Sequence, residues 1–307
     1  MQRHKGPSDT AANVYSLPSI AQAIHFLHAA AGFPTKETWL KAIANGNYQS
    51  WPGITCQAVR RHLPDDTVES LKGHLNKQRQ NVRSTKEPIE FDDIDDVQLT
   101  HTLAKHKLMI KVINATQTIY TDQTGYFPVQ SSRGNRLLMV IYDVDGNYID
   151  VEPLKDHKDK SMIAAYQTLW IRVTRNRVEK PTLHILDNEA SAAFKDAIRS
   201  NSNLQLVPPD THRRNLAKRA IQTFKNHFVA ILAGVDKSFP MYLWDRLLPQ
   251  AVLTLNLLRQ ANAAPEMSAY EYVHSKFDYN SSPLAPLGCA AQVHAAPGRQ
   301  KTWMLMT

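Results

Sequence analysis

Residues 136–153 read RLLMVIYDVDGNYIDVEP and carry the clearest fold signal in the chain. The first part, residues 136–142, is apolar and rich in long side chains, as in a strand that is buried in a sheet. The run Asp143-Val144-Asp145-Gly146-Asn147 follows, and Asp, Asn and Gly are typical of tight turns. Residues 148–153 then alternate between apolar and polar side chains. The stretch therefore predicts two antiparallel strands joined by a hairpin turn.

The segments on either side extend this hairpin into a larger sheet. Further strand-like segments are 107–113, 118–121, 182–186 and 204–207. Apolar residues recur with helical spacing in 162–173, 190–200, 213–232, 242–259 and 268–277. Antiparallel strands followed by alternating helices and strands predict an α/β fold with a mixed five-stranded sheet flanked by helices. This is the element order of ribonuclease-H-like folds, although many other α/β folds begin in the same way.

The first part of the chain predicts a small all-helical domain ahead of the sheet. Apolar residues recur at steps of three or four from Ile20 to Ala31, and Gly32 and Pro34 end that helix. Thr35 is placed to cap a second helix, and two more helices are predicted after 51–53 and near 67–75. Residues 76–97 are first basic and then acidic, as in a linker. We predict a helical region at 1–79, a charged linker at 80–106, the core at 107–280 and a truncated tail at 281–307.

Composition and charge indicate which partner and which cellular compartment to expect. The chain has 307 residues, 43% of them hydrophobic, and a formal net charge of +8, which favours a polyanionic partner such as nucleic acid. Its two cysteines are far apart, which excludes a disulfide framework and fits a reducing compartment. We find no signal peptide and no apolar run of the roughly 18–20 residues that span a bilayer. We therefore expect an intracellular protein that is not secreted and has no membrane partner. A nuclear location is compatible with this expectation.

Two acidic residues follow predicted strands directly. Asp122 comes after residues 118–121, and Asp187 comes after residues 183–186. Strand ends hold side chains rigidly, and phosphoryl transfer by two metal ions needs several carboxylates that converge on one point. Each acid has an ordinary alternative as a turn or cap residue, and for Asp143 and Asp145 the turn is our interpretation.

Three short motifs then resemble the integrases of copia-type LTR retrotransposons, a retroviral-type family. Residues 120–128, YTDQTGYFP, resemble the first catalytic strand of that family, and residues 186–189, LDNE, resemble the second. Residues 212–225, HRRNLAKRAIQTFK, resemble the catalytic helix. Each motif is weak by itself, but their order makes the resemblance fairly specific, and it covers roughly residues 107–297.

The resemblance implies a site for DNA integration made of three acids that bind two Mg²⁺ (or Mn²⁺) ions. Water first attacks the DNA ends, and the freed 3′-hydroxyl then attacks target DNA. By position, Asp122 is the first catalytic residue and metal ligand, Asp187 is the second, and the place of the family's glutamate is taken by Lys218. Because a cation replaces an acid, we expect catalysis to be impaired and metal binding to be lost or reduced to one ion. Glu189 and Asp210 are the candidates for a substitute acid.

The predicted catalytic helix is strongly basic. Residues 211–228 contain five lysines and arginines and no acid. An amphipathic helix of this kind is suited to contacting phosphates, although a merely solvated face would look similar. With the resemblance, we predict DNA contacts, to element ends and target, from Arg213, Arg214, Asn215, Arg219, Gln222 and Lys225.

The family often carries a zinc-binding helical module ahead of the core. Leu27-His28 and Gly32-Phe33-Pro34 resemble a divergent remnant of it, in which Phe33 replaces the second histidine and no cysteine pair follows. We therefore expect no zinc site, and assign the region to helical packing and assembly, with a homo-oligomer left open.

Several functional interpretations remain open at this stage. The first is an integrase-type domain of a transposable element with impaired catalysis. The others are a nuclease that recruits another acid, a noncatalytic nucleic-acid-binding or assembly remnant, and an unrelated α/β enzyme. For the last, the sequence contains neither a Gly-rich phosphate loop nor a Gly-x-Ser-x-Gly elbow.

Overall fold

The computed structural model of the protein describes residues 14–75, 116–187, 190–207 and 216–290. The predicted strand at 107–113, the whole of the predicted linker at 80–106 and most of the predicted tail lie outside these residues. None of the described helices combines the length and apolar character that crossing a membrane requires.

Five strands form one mixed sheet in the described part of the chain. They are β1 (Thr118–Gln123), β2 (Leu137–Asp143), β3 (Tyr148–Leu154), β4 (Leu183–Leu186) and β5 (Asn203–Leu206), in the spatial order β3-β2-β1-β4-β5. Strand β2 is antiparallel to both β1 and β3, whereas β4 is parallel to both β1 and β5. This arrangement confirms the predicted ribonuclease-H-like fold and the predicted hairpin turn at 143–147.

Helices flank the sheet and close its core. They are α5 (Asp159–Thr174), α6 (Ala192–Arg199), α7 (Leu216–Gly234), α8 (Leu248–Leu257) and α9 (Ala269–Val273). Buried side chains recur along α5 and α7 at steps of three or four, and both helices pack against the sheet. The continuous helix predicted over 242–259 is wrong in one respect. A 3₁₀ helix (Met241–Arg246) precedes α8, because Pro249 in the first turn of α8 cannot continue a preceding helix.

The predicted N-terminal helices are present as α1 (Ile20–Ala30), α2 (Lys36–Ala44), α3 (Cys56–His62) and α4 (Val68–His74). The hydroxyls of Ser19, Thr35 and Thr55 accept hydrogen bonds from backbone N–H groups in the first turns of α1, α2 and α3. These caps satisfy donors that a helix start leaves without partners, which explains why the helices begin there.

The N-terminal helices share a hydrophobic core with α8 and with residues near position 280. Trp39, Tyr48 and Trp51 are buried in one cluster with Leu257 of α8 and with Tyr279. Helix α4 also packs closely along α7. The helical region is therefore joined to the sheet-bearing part through buried side chains, and both belong to one compact unit.

Candidate active site

The sheet topology places Asp122 and Asp187 beside each other in register. Strands β1 and β4 run parallel, with Tyr120 opposite Ile185. Asp122 lies two residues after Tyr120, and Asp187 lies two residues after Ile185. The two aspartates are therefore at the same level, at the carboxyl ends of β1 and β4. Because side chains alternate between faces with a period of two, both carboxylates leave on the same face of the sheet.

The two aspartates differ in local environment. Asp122 is a half-buried residue near the end of β1, and its Oδ1 accepts a hydrogen bond of 2.8 Å from the backbone N–H of Gln123. Asp187 directly follows β4, and its side chain is 22% exposed. Both residues are therefore partly exposed at the strand ends.

Lys218 joins this site from the first turn of α7. Its Nζ lies 2.9 Å from Oδ2 of Asp187, and its side chain is 42% exposed. The distance is that of a charge-assisted hydrogen bond between an ammonium and a carboxylate. Lys218, at the position of the family's glutamate, therefore forms an ion pair with Asp187, the acid that follows β4.

Packing of α7 against the sheet fixes where Lys218 lies. Ala220, Phe224 and Phe228 are buried on the inner face of this helix, and the rings of Phe224 and Phe228 stack with centroids 5.6 Å apart. These contacts hold the axis of the helix, so the first turn is held beside the end of β4. The ion pair is consequently a product of tertiary packing.

A buried histidine joins the two strands that carry the aspartates. His184 of β4 is fully buried, and its Nε2 lies 2.8 Å from Oγ1 of Thr121, the residue before Asp122. Burial lowers the pKa of His184 to about 3, so the ring is neutral at physiological pH. The sequence did not single out His184, because one histidine in an apolar strand gives no functional signal.

The donor set does not fit a pair of divalent ions. Such ions prefer several oxygen ligands, whereas Asp122 and Asp187 supply two carboxylates and Lys218 brings a positive charge to one of them. Among the described residues, no three histidine, cysteine, aspartate or glutamate side chains converge as a metal site. Glu189 and Asp210, the two substitute acids considered from the sequence, lie outside the described residues.

The exposed face of α7 carries three of the predicted DNA contacts. Arg219, Gln222 and Lys225 are all exposed, and Nε2 of Gln222 donates a hydrogen bond of 2.7 Å to Oδ1 of Asn226. They recur at steps of three along the helix and so share one face. The other three predicted contacts, Arg213, Arg214 and Asn215, lie outside the described residues.

Comparisons with known proteins find similarity in structure only. No family model matches the sequence, and no curated protein matches it. The structure is similar to the catalytic core domain of BIV integrase, with a TM-score of 0.38 and 12% identity, over 52% of this chain and 93% of that chain. It is also similar to the HTLV-2 integrase catalytic core domain in complex with magnesium (trimeric form), with a TM-score of 0.39 and 18% identity, over 51% and 95% of the two chains.

A third similar structure is a simian T-cell lymphotropic virus intasome in complex with the PP2A regulatory subunit B56 gamma. The TM-score is 0.41 and the identity 18%, over 58% of this chain and 59% of that chain.

Asp143 and Asp145 lie at the hairpin, and their common partner is Arg177. Nη1 of Arg177 lies 2.7 Å from Oδ1 of Asp143, and its Nη2 lies 3.6 Å from Oδ2 of Asp145. The backbone N–H of Gly146 donates to Oδ2 of Asp143. Burial raises the pKa of Asp143, and the charge of Arg177 opposes that rise. The sequence indicated the turn but not Arg177, because the two partners are distant along the chain.

His28, which the sequence linked to a remnant zinc module, is a buried core residue. Its Nε2 donates a 2.8 Å hydrogen bond to the carbonyl oxygen of Pro34. Its ring also contacts the rings of Phe33 and Trp39, with centroids 5.7 and 5.2 Å away. Burial lowers the pKa of His28 to about 4. The residue therefore orders the turn between α1 and α2.

Proposed function

We propose that this chain is the integrase-type domain of a copia-type LTR retrotransposon, with polynucleotidyl transfer disabled at Lys218 and DNA binding retained. The observation that carries the proposal is the 2.9 Å contact between Nζ of Lys218 and Oδ2 of Asp187. It is supported by the strand order, by the two in-register aspartates and by the basic helix α7.

The ion pair changes what the site can do chemically. Transfer to a phosphodiester needs an activated hydroxyl and stabilisation of the leaving oxygen, and converging carboxylates would serve that chemistry by holding the divalent ions that supply positive charge to both. Here the charge of Asp187 is already balanced by the ammonium of Lys218. A single ammonium can bind a phosphate oxygen, but it cannot match the charge density that the transfer requires.

The same residues are well suited to holding a DNA backbone. Lys218 and Arg219 in the first turn of α7, followed by Gln222 and Lys225, expose three cationic groups and one amide along the helix. Phosphate contacts of this kind position a protein on DNA without reading its sequence. The net charge of +8 supports binding to a polyanion. Action on DNA, as element ends or target, and hence a nuclear location, belongs to the same proposal.

The test compares the wild type with Lys218→Glu. Calorimetry with Mg²⁺ and with Mn²⁺ is expected to show no saturable binding to the wild type and saturable binding to Lys218→Glu. Strand transfer on a labelled duplex is expected with the variant alone. Lys225→Glu is the matched control for the calorimetry alone, because it makes the same charge change on the same helix two turns away from Lys218.

Two results would overturn this assignment. If the wild type binds two ions and cuts DNA, an acid other than the residue at 218 completes the site, and the protein is an active nuclease or integrase. If neither the wild type nor Lys218→Glu binds DNA in EDTA at low salt, the proposal that DNA binding is retained is wrong.

A noncatalytic nucleic-acid-binding or assembly protein on the same scaffold is the second candidate, and the exposed basic face of α7 favours it. It predicts DNA binding by the wild type but no gain of strand transfer in Lys218→Glu. Sedimentation of the purified protein, with and without duplex DNA, tests whether it forms the homo-oligomer that the sequence left open.

A further inference from the structure

An exposed pair of aromatic rings lies at the end of the sheet that carries the candidate active site. Tyr126 comes three residues after β1 and is 66% exposed, the largest fraction for any tyrosine, phenylalanine or tryptophan in the described part of the chain. Its ring meets that of His157 edge to face, with centroids 5.8 Å apart and 85° between the planes. Such a contact covers at most one of the four ring faces, so the pair leaves aromatic surface open to a ligand.

The ring of His157 is held by a side chain of β1. Its Nδ1 lies 3.1 Å from Oε1 of Gln123, the last residue of β1, and the histidine is the donor because an amide oxygen only accepts. Gln123 directly follows Asp122, and successive side chains of a strand leave opposite faces of the sheet. The ring pair is therefore tied to the same strand end as Asp122, and it lies beside the candidate active site.

The sheet topology brings cationic side chains to the same place. Strand β3 runs parallel to β1, because β2 is antiparallel to both, so residues 155–160 follow β3 at the edge where β1 ends. These residues read KDHKDK, and all three lysines are exposed on either side of His157. Asp156 is engaged locally, since its Oδ1 accepts a 3.1 Å hydrogen bond from the backbone N–H of Lys158. Three lysines against two aspartates leave a positive balance beside the open rings.

Open aromatic faces beside cations are the combination by which proteins hold unpaired nucleotides. The rings stack on a base, and the cations contact the phosphates of the strand. A base inside a duplex is already stacked on its neighbours, so only an unpaired base can use such rings without cost.

We propose that the pair Tyr126 and His157 is a stacking site for an unpaired nucleobase of a DNA strand that lies across this end of the sheet. The inference rests on the DNA binding proposed above and adds to it a preference for DNA with unpaired bases. Lysines of residues 155–160 contact the phosphates of the same strand.

The test measures the affinity of the full chain for two DNAs in EDTA and at the same salt concentration, by fluorescence anisotropy. One DNA is a fully paired duplex, and the other is a duplex of the same length with mismatched pairs at one end, so both carry the same charge. We expect the wild type to bind the mismatched DNA about fivefold more tightly, the lower range for one base stacked on an aromatic side chain.

Three variants assign this preference to the ring of Tyr126. Tyr126→Ala is expected to remove the preference and to leave the affinity for the paired duplex unchanged, which also reports that the variant is folded. Tyr126→Phe keeps the ring and is expected to keep the preference. Tyr15→Ala is the matched control, because it makes the same change at a tyrosine that is 60% exposed and bonded to Asn280, and it is expected to keep the preference as well.

A photochemical cross-link locates the base without relying on affinity. With iododeoxyuridine at a mismatched position, irradiation is expected to join the DNA to Tyr126 or His157, as mapped by mass spectrometry. A merely structural role of these residues would give no such cross-link.

The inference and the proposed DNA binding fail in different ways. Equal affinity of the wild type for the two DNAs, a preference that persists in Tyr126→Ala, or a cross-link to other residues alone would each overturn the stacking site while DNA binding stands. If the wild type binds neither DNA, both the DNA binding and the stacking site are wrong.

Discussion

Lys218 and Asp187 form an ion pair, with 2.9 Å between the ammonium nitrogen and the nearer carboxylate oxygen, at the carboxyl end of β4. The pair joins the first turn of a helix to a strand end of the sheet. Partly exposed pairs of this kind contribute little to stability, usually less than about 1 kcal/mol. Its consequence is therefore chemical, since it changes the charge at the ends of the neighbouring strands β1 and β4, where Asp122 and Asp187 lie.

The exposed face of α7 can be tested through the salt dependence of DNA binding. We expect Arg219→Ala and Lys225→Ala each to weaken binding to a duplex and to lower the slope of log affinity against log salt by about 0.9, the value for one lost phosphate contact. Fluorescence anisotropy over a series of salt concentrations measures both quantities. Lys180→Ala is the control, because this exposed residue precedes β4 and so lies at the opposite end of the strand. An equal loss in the control would contradict the assignment.

Arg177 is expected to be the charged residue near the hairpin whose loss destabilises the fold most. Its side chain is 6% exposed, and its removal leaves the fully buried Asp143 without its ionic partner. We expect Arg177→Gln to lower the free energy of unfolding by about 3–5 kcal/mol, as for other broken buried pairs. Urea denaturation measures the change, and Arg175→Gln, an exposed neighbour on the same segment, should change it by less than about 0.5 kcal/mol. A small effect at Arg177 would mean that Asp143 is neutral in the folded protein.

Gly73 is expected to be required where α4 crosses α7. A Cβ atom at this position would lie 2.5 Å from the backbone oxygen of Asn226 and 2.6 Å from Cβ of Ala230, so Gly73→Ala forces the helices apart. We expect a loss of about 1–3 kcal/mol in the free energy of unfolding. Gly125→Ala is the matched control, since a Cβ atom there would meet no other atom within 4 Å. Equal free energies of unfolding for Gly73→Ala and Gly125→Ala would contradict the close packing of α4 on α7.

The buried His28 predicts a loss of stability in acid. Burial lowers its pKa from the ordinary value of 6.5 to about 4, so the unfolded chain binds the proton more tightly. The contribution of the neutral ring is fully present above pH 6.5 and is lost as the pH falls toward 4, by up to about 3 kcal/mol.

We therefore expect His28→Gln to show a weaker fall in unfolding free energy between pH 6.5 and 4 than the wild type. Chemical denaturation at a series of pH values tests this expectation. His157→Gln, at an exposed histidine, serves as the control and should keep the wild-type pH dependence. Parallel pH profiles for His28→Gln and the wild type would show that His28 is not buried in the neutral form.

Much of the architecture was predictable from local pattern. The alternation in 148–153, the turn residues at 143–147 and the cap at Thr35 each act within a few residues, so they are visible in sequence and appear in the structure as predicted. The break before α8 was missed, because a single proline interrupts an otherwise continuous apolar period. Asp122, Asp187 and Lys218 could be proposed as site positions from strand ends and from resemblance.

Other features depended on contacts between distant residues. The sequence did not show that Lys218 pairs with Asp187 or that Arg177 joins Asp143. Local propensity is set by neighbours along the chain, whereas these contacts depend on how helices pack onto the sheet. Strand, turn and helix positions followed from the sequence because their causes are local. Which charged residues meet at the candidate site depended on tertiary packing, because the burial of apolar faces brings distant residues together.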